Sequence, residues 1–486
     1  MLVRAFGARN CVPGGSYSVN GSGKFADISD DYLRKLKQLS VGAVWYTGII
    51  SHATKTHFRG VPDCNPSIVK GEAGSPYAIR NYFDVDPALA LNPDNRMAEF
   101  QALVDRTHKA GMKVVIDFVP NHVFRSYDTY FTKENFHLLD EPLHLPEELC
   151  SDYQENPAKA TGNDVFHAYP SVRDWYDTVK LNYNNRSTWT KMLDILKFWI
   201  SKGIDGFRCD MVEMVPADFF RWAIGNVREI RPDLLFIAEV YDRNNYRKYA
   251  SAGFDLLYDK TGFYDALRGI VGGYRPASCL TQEWQQTGEL QPKMLNFLEN
   301  HDEQRVASSF FASSGKAVFP ALAVSLLFNT APFMIYFGQE FGEKGMEAEG
   351  FSGCDGRTSI YDYCIVPSVK RFLQDRLSVD ETVVYKEYCR LMRIATADAI
   401  FSKGKTFDLM YVNPSSEHFD PERQFAWMRG HAGAAMLIVA NFSASPVDVK
   451  VNIPKEAFDY LGIERQATCV DVHVNARDYM RIDVSE

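Results

Sequence analysis

The chain has 486 residues, of which 46% are hydrophobic, so it can bury a large core and is expected to form two or three domains. Its net charge of −9 and its lack of basic clusters argue against nucleic acid as a partner. No apolar run approaches the roughly 20 residues of a membrane span, and nine scattered cysteines without a CxxC pair favour neither a disulfide framework nor a zinc site.

The first ten residues, MLVRAFGARN, lack the long apolar segment of a signal peptide. Together with the cysteine pattern, this favours a cytoplasmic protein with reduced thiols. A periplasmic or secreted location stays open if the N-terminus has been trimmed. The sequence says nothing about the oligomeric state.

Short β-rich apolar runs alternate with amphipathic helix patterns along most of the chain. Strands are predicted at 2–6, 42–47, 113–118, 204–209, 235–240, 254–258, 294–299 and 333–337. Helix patterns precede the second, third and fourth of these strands. Nearly continuous hydrophobic strands that alternate with helices indicate a parallel sheet covered by helices, and eight of them close most naturally into a (β/α)8 TIM barrel.

Two segments depart from this pattern. Residues 120–185 are rich in Asn, Asp, Pro and Tyr and are too long for one connecting helix, so we expect an inserted subdomain after the third strand. Short strand-like segments separated by turn residues predict a C-terminal antiparallel β-sandwich at 386–486. The barrel would then comprise residues 1–119 and 186–385.

Polar residues follow the apolar runs of the third, fourth, fifth and seventh predicted strands. They are Asp117, Asn121, His122, Arg208, Asp210, Glu239, His301 and Asp302. The carboxyl ends of barrel strands meet at one rim, where the chemistry of such folds takes place. A single charged strand end is commonplace in a structural ion pair. Four that converge are hard to explain by packing, because a buried carboxylate is costly.

Carboxylates with an arginine and two histidines, without a convincing metal cluster, suit glycoside hydrolysis. Arg208 and Asp210 are two residues apart and therefore share one face of a strand, so we expect the guanidinium to lower the pKa of Asp210 and keep it ionised. Glu239 follows three apolar residues, a setting that favours a protonated carboxyl. Such a pair has the properties of a nucleophile and an acid.

Four stretches, VVIDFVPNH, GFRCD, IAEV and FLENHD, occur in the order of the four conserved regions of the α-amylase family of glycoside hydrolases. The chain resembles that family over nearly its whole length. Two further stretches, GSPYAIRNY (74–82) and DTVKLNYNN (177–185), are similar to other family segments. The resemblance implies an eightfold barrel with an insertion after the third strand and a C-terminal β domain.

The resemblance also implies residue roles. It makes Asp210 the nucleophile, Glu239 the general acid/base, and Asp302 the group that holds sugar hydroxyls and distorts the ring. It implies that Asp117 is structural. The implied substrate-binding residues are Tyr77, which would stack on the sugar, His122 and His301, which would bind its hydroxyls, and Arg208, which would orient the nucleophile.

Two departures from the family pattern affect specificity and metal binding. Glu213 and Met214 stand where many amylases have a Lys-His pair, so specificity for polymers is in doubt. Asn121 matches a calcium ligand of the family, but Asn182 and Asn184 stand where calcium-binding relatives have an Asp. Calcium prefers charged oxygen ligands. We expect no cofactor for the chemistry and leave a structural calcium at Asn121 open.

The leading functional prediction is a retaining glycoside hydrolase that cleaves α-glucosidic bonds of starch-derived glucans or malto-oligosaccharides through a covalent intermediate on Asp210. One alternative is a transglycosidase or isomerase that acts on the same substrates. Another is a non-catalytic carbohydrate-binding relative, which the presence of Asp210, Glu239 and Asp302 disfavours. Linkage, chain length and endo or exo action do not follow from the sequence.

Overall fold

The computed structural model describes residues 1–127, 130–149, 153–164, 166–345, 355–464 and 468–485. Its strands are β1 Ala43–Tyr46, β2 Ile50–His52, β3 Ile79–Val85, β4 Lys113–Phe118, β5 His122–Phe124, β6 Thr178–Lys180, β7 Gly206–Cys209, β8 Leu235–Ala238, β9 Leu256–Tyr258, β10 Met294–Phe297, β11 Phe333–Met334, β12 Lys405–Asp408, β13 Gln424–His431, β14 Ala434–Asn441, β15 Val447–Asn452, β16 Cys469–Val474 and β17 Asp478–Asp483.

The α-helices surround the strands. They are α1 Val3–Phe6, α2 Tyr17–Asn20, α3 Asp30–Gln38, α4 Arg96–Lys109, α5 Arg186–Ser201, α6 Ala217–Ile230, α7 Tyr246–Ser251, α8 Asp265–Val271, α9 Cys279–Thr287, α10 Phe319–Leu327, α11 Pro367–Leu373, α12 Val379–Ala397, α13 Ala399–Ser402 and α14 Lys455–Leu461. Within the described ranges, none of these helices is long and apolar enough to cross a membrane.

Seven of the eight predicted strands form one parallel sheet in the order β1-β4-β7-β8-β9-β10-β11. Its outer face is covered by helices whose apolar positions recur every three or four residues. In α4, for example, Phe100, Leu103 and Val104 are buried in the same core cluster as Val114 and Ile116 of β4. The alternation of apolar strands and amphipathic helices therefore produces the predicted layers.

The strand predicted at 2–6 is wrong. Leu2 makes an isolated parallel bridge to Thr47, just after β1, and the next four residues form the short helix α1. Met1 pairs with the same edge, because its amino group donates to the Trp45 carbonyl at 2.7 Å. The run LVRAF is short and mostly apolar, which suits a buried strand and a buried helical turn equally well. Periodicity alone therefore cannot separate the two.

The interior of the barrel is apolar below the strand ends. A cavity of about 690 Å³ has Val115, Ile237, Leu256 and Leu295 in its lining, and it reaches up to His301. The first four of these side chains belong to four different strands of the parallel sheet. Apolar side chains from four strands therefore line the interior of the barrel below the strand ends.

The inserted segment and the C-terminal domain are built on antiparallel strands. In the insertion, β5 pairs with β6, so that His122 lies opposite Lys180. The C-terminal strands form a four-stranded sheet, β12-β13-β14-β17, and a two-stranded sheet, β15-β16. The predicted boundary after residue 385 falls within α12, which begins at a capping box formed by Ser378 and Glu381. The first strand of the C-terminal sheet begins at Lys405.

Candidate active site

The predicted catalytic residues lie at the carboxyl ends of neighbouring strands. Asp117 of β4 is in register with Arg208 of β7. The backbone amide of Asp210 donates to the last carbonyl of β4, and the amide of Glu239 donates to the last carbonyl of β7. Parallel pairing therefore brings three carboxylates that are far apart in the sequence to one point of the rim.

Arg208 is fully buried between these carboxylates. Its Nη1 donates to Asp210 Oδ1 at 2.6 Å, and its Nη2 forms an ion pair with Glu239 Oε1 at 2.7 Å. Nη1 also lies 3.7 Å from Asp117 Oδ1, and Nε donates to the Tyr258 hydroxyl at 3.1 Å. A guanidinium has a rigid fork of donors, so Arg208 fixes both the spacing and the direction of the two carboxylates.

Burial and the nearby Glu239 carboxylate raise the pKa of Asp210 well above its ordinary value, although Arg208 acts in the opposite direction. The expectation of a lowered pKa for Asp210 is therefore wrong. That expectation rested on Arg208 alone. Arg208 is shared by two buried carboxylates, and the second carboxylate disfavours the ionised form of the first. Asp210 therefore retains a proton more readily than an isolated aspartate does.

The turn that follows Asp210 is fixed by Glu239. Met211 has a φ of +44°, which a residue with a side chain rarely adopts. Its amide donates to Glu239 Oε2 at 2.8 Å, and the Tyr241 hydroxyl donates to Glu239 Oε1 at 2.9 Å. Both oxygens of Glu239 are therefore held, and Arg208 links this carboxyl to that of Asp210.

The predicted sugar-binding residues line the same rim. The Tyr77 hydroxyl and His301 Nε2 are hydrogen-bonded at 2.6 Å, and their rings are stacked with centroids 5.3 Å apart. His301 Nε2 also lies 3.0 Å from Asp302 Oδ2. Burial alone would raise the pKa of Asp302, but His301 and Arg208 lower it to about 2. Asp302 is therefore an ionised acceptor at neutral pH.

His122 also lies beside Asp210. Its Nε2 is 4.0 Å from Asp210 Oδ2, and its ring packs against Trp175 with centroids 5.2 Å apart. Burial and the charge of Lys180 lower the pKa of His122 to about 3, so the ring is neutral. Its Nδ1 lies 3.0 Å from Asn121 Nδ2. A neutral imidazole can exchange one donor or acceptor with a hydroxyl group.

Three residues that the sequence reasoning did not assign to the site support it. Glu213 accepts hydrogen bonds from the amides of Tyr241 and Asp242 at 2.9 and 3.1 Å, so it fastens the segment that follows Glu239. The Lys180 ammonium donates to Asn121 Oδ1 and to the backbone carbonyl of Met214. Tyr241 could have been found, since it is only two residues past Glu239 in the sequence. Lys180 lies within the quoted stretch DTVKLNYNN.

Comparison with known proteins agrees with this geometry. The family model of the α-amylase catalytic domain matches residues 18–259. The chain is 26% identical to "Alpha-amylase 3" of Dictyoglomus thermophilum over an alignment of 360 positions, which covers 68% of this chain and 68% of the relative. It is 27% identical to a cyclomaltodextrin glucanotransferase of Bacillus licheniformis over 64% of this chain, and there it spans only 42% of the relative.

Solved structures share the fold over the whole chain. A maltogenic α-amylase of Thermotoga neapolitana is 21% identical, with a TM-score of 0.68 and coverage of 100% of this chain and 95% of that one. An α-amylase of Geobacillus thermoleovorans is 19% identical, with a TM-score of 0.67 and the same coverage. These likenesses confirm the predicted (β/α)8 barrel with a C-terminal β domain. The chain belongs to the α-amylase family of glycoside hydrolases.

Proposed function

We propose that the protein is a retaining glycoside hydrolase that cleaves α-glucosidic bonds of starch-derived glucans or malto-oligosaccharides. The observation that carries the proposal is the bridge that Arg208 makes between Asp210 and Glu239. Two carboxylates on one guanidinium are close together, as in retaining enzymes, whereas inverting enzymes need room for a water molecule between them. The names of the relatives, α-amylases and a glucanotransferase, supply the substrate class.

In the first step, Asp210 attacks the anomeric carbon while Glu239 gives its proton to the leaving oxygen. The glycosidic C–O bond breaks as the bond to Asp210 Oδ forms, and the shortened glucan leaves as an alcohol. His122 lies beside Asp210, and His301 lies beside Asp302 at the same rim, so these residues can hold hydroxyls of the sugar that reacts. Positive charge that develops on this sugar is balanced by Asp210 and by the ionised Asp302.

In the second step, the ionised Glu239 takes a proton from water, and the oxygen of that water displaces Asp210 from the anomeric carbon. Two inversions give net retention of the α configuration. Where the hydroxyl of another sugar replaces water, the same step transfers the glycosyl group instead. Hydrolysis and transfer therefore share every residue of this site and differ in the acceptor alone.

Product analysis with maltoheptaose, pullulan and soluble starch tests the proposal. We expect shorter sugars, released as the α-anomer when the reaction is followed by NMR from its first minutes. A 5-fluoro-α-glucosyl fluoride is expected to label the peptide that contains Asp210, as detected by mass spectrometry. Longer oligosaccharides would move the assignment to a transglycosidase. Release of the β-anomer, or a label on another carboxylate, would contradict it.

Tyr241→Phe tests how Glu239 is held. The variant loses one hydrogen bond to a carboxyl that must be correctly placed to protonate the leaving group, so kcat on maltoheptaose is expected to fall about tenfold. α-Glucosyl fluoride needs no such proton, and its rate should change little in a single-turnover measurement. An equal loss on both substrates would contradict this role. Tyr246→Phe, which removes a buried hydroxyl near Thr261, is the matched control.

A further inference from the structure

Lys180 brings a buried positive charge to the base of the active site. Its side chain is 7% exposed. The ammonium donates to Asn121 Oδ1 at 2.5 Å and to the Met214 carbonyl at 3.0 Å, and it lies 3.0 and 3.1 Å from the two oxygens of Asp164. Three oxygen groups from three separate segments thus converge on one nitrogen.

This cluster of Asn121 Oδ1, the Met214 carbonyl and the Asp164 carboxylate is here named the oxygen cage. Amide, carbonyl and carboxylate oxygens are the ligands that calcium takes in proteins. An ammonium has three N–H donors, and each has one oxygen group of the cage as its partner. The cage is therefore already satisfied by a cation that belongs to the chain.

The same residues do not fit a calcium ion. A divalent ion in the cage would lie against the ammonium of Lys180, and of the residues that the structure describes, Asp164 alone supplies a carboxylate there. The side-chain oxygen of Asn182 is engaged outside the cage, since Asn182 Oδ1 accepts the backbone amide of Asn184 at 3.0 Å. Nor do the described ranges hold a group of three His, Cys, Asp or Glu side chains that could bind a metal.

We propose that the ammonium of Lys180 takes the place of a structural divalent cation, so that the site is assembled without metal. The cage holds two segments that matter for the reaction. Asn121 contacts His122 through Nδ2, and Met214 ends the turn that begins directly after Asp210. Lys180 is thus a positioning residue, which ties the insertion to the barrel and acts on the substrate through its neighbours.

The first test compares the thermal unfolding of the full chain in EDTA and in calcium chloride. We expect the wild-type Tm and kcat to be the same in both. The second test uses Lys180→Asp. An aspartate is shorter than a lysine by about the length of one calcium–oxygen bond, so its carboxylate would become a ligand of an ion at the former ammonium position. In EDTA we expect this variant to lose several degrees of Tm and most of its kcat.

Calcium chloride should then raise the Tm of Lys180→Asp by at least about 3 °C and restore part of its kcat. Lys133→Asp makes the same charge change at an exposed lysine of the insertion and should show no response to calcium. If Lys180→Asp does not fold in EDTA, the readout is calcium-dependent refolding by circular dichroism, with Lys180→Asn as a second variant. A wild-type Tm that falls in EDTA and recovers with calcium, or the absence of a calcium response in both Lys180 variants, would overturn the proposal.

Discussion

Asp210→Asn is expected to lower kcat on maltoheptaose by on the order of 10⁵-fold or more, because removal of a covalent nucleophile leaves the binding groups alone to act. The amide is close in size to the carboxylate and can stay beside Arg208, so we expect the Tm to change little. The measurement is the initial rate of reducing-sugar release, with purification from a host that lacks amylase activity. A loss smaller than about 100-fold would assign the attack to another carboxylate.

Asp205→Asn, a change at the opposite end of β7 from Asp210, is the matched control. Asp205 lies at the other end of β7, where it accepts hydrogen bonds from the Val114 amide at 2.7 Å and from His108 Nε2 at 2.6 Å. Asp205→Asn removes a buried charge with these partners, so it should lower the Tm while leaving kcat and KM unchanged. The pair of variants separates loss of chemistry from loss of stability. A fall in kcat for Asp205→Asn would show that the assay reports folding.

The sequence predicted the parallel sheet and the convergence of the candidate catalytic residues for the same physical reason. Continuous apolar runs must be buried on both faces, and the charged residues that end them must then meet at one rim. Asp117, Arg208 and Glu239 are brought together in this way by strand register alone. Where a run was short and had no flanking signal, as at residues 2–6, local pattern did not decide between strand and helix.

Other features depend on contacts that no local pattern encodes. Lys180 reaches Asn121, 59 residues away, because β5 and β6 pair within an insertion whose course does not follow from periodicity. Glu213 looked like a departure on the substrate side, whereas its carboxylate faces the backbone after Glu239. The pKa of Asp210 depends on burial and on a second carboxylate, both of which are properties of the assembled rim.

Arg208→Lys is the second change with a large expected effect. A lysine keeps the positive charge but cannot place one rigid planar fork between the two carboxylates. Since burial and Glu239 already raise the pKa of Asp210, loss of the guanidinium that donates to its Oδ1 raises the pKa further. We expect kcat/KM at its pH optimum to fall on the order of 10²–10³-fold, the size of effect seen when one preorganised charged donor is lost.

The pH profile of kcat/KM shows in which direction Arg208→Lys shifts the pKa of Asp210. Only ionised Asp210 attacks, so activity is lost as the pH falls through its pKa. A higher pKa moves the acidic limb of kcat/KM to higher pH in Arg208→Lys than in the wild type. The limb of the wild type should itself lie above the ordinary aspartate value of about 4. An acidic limb that stays in place would show that Arg208 does not control the ionisation of the nucleophile.

Arg305→Lys distinguishes this electrostatic role from a structural one. Arg305 is also fully buried, and it forms an ion pair with Glu299 at 3.0 Å and donates to Thr358 at 2.9 Å, but it does not contact Asp210 or Glu239. Both variants disturb a buried charge pair, so both should lower the Tm. Only Arg208→Lys should move the acidic limb, since a pKa responds to a charge that contacts the titrating group and a global loss of stability leaves it in place.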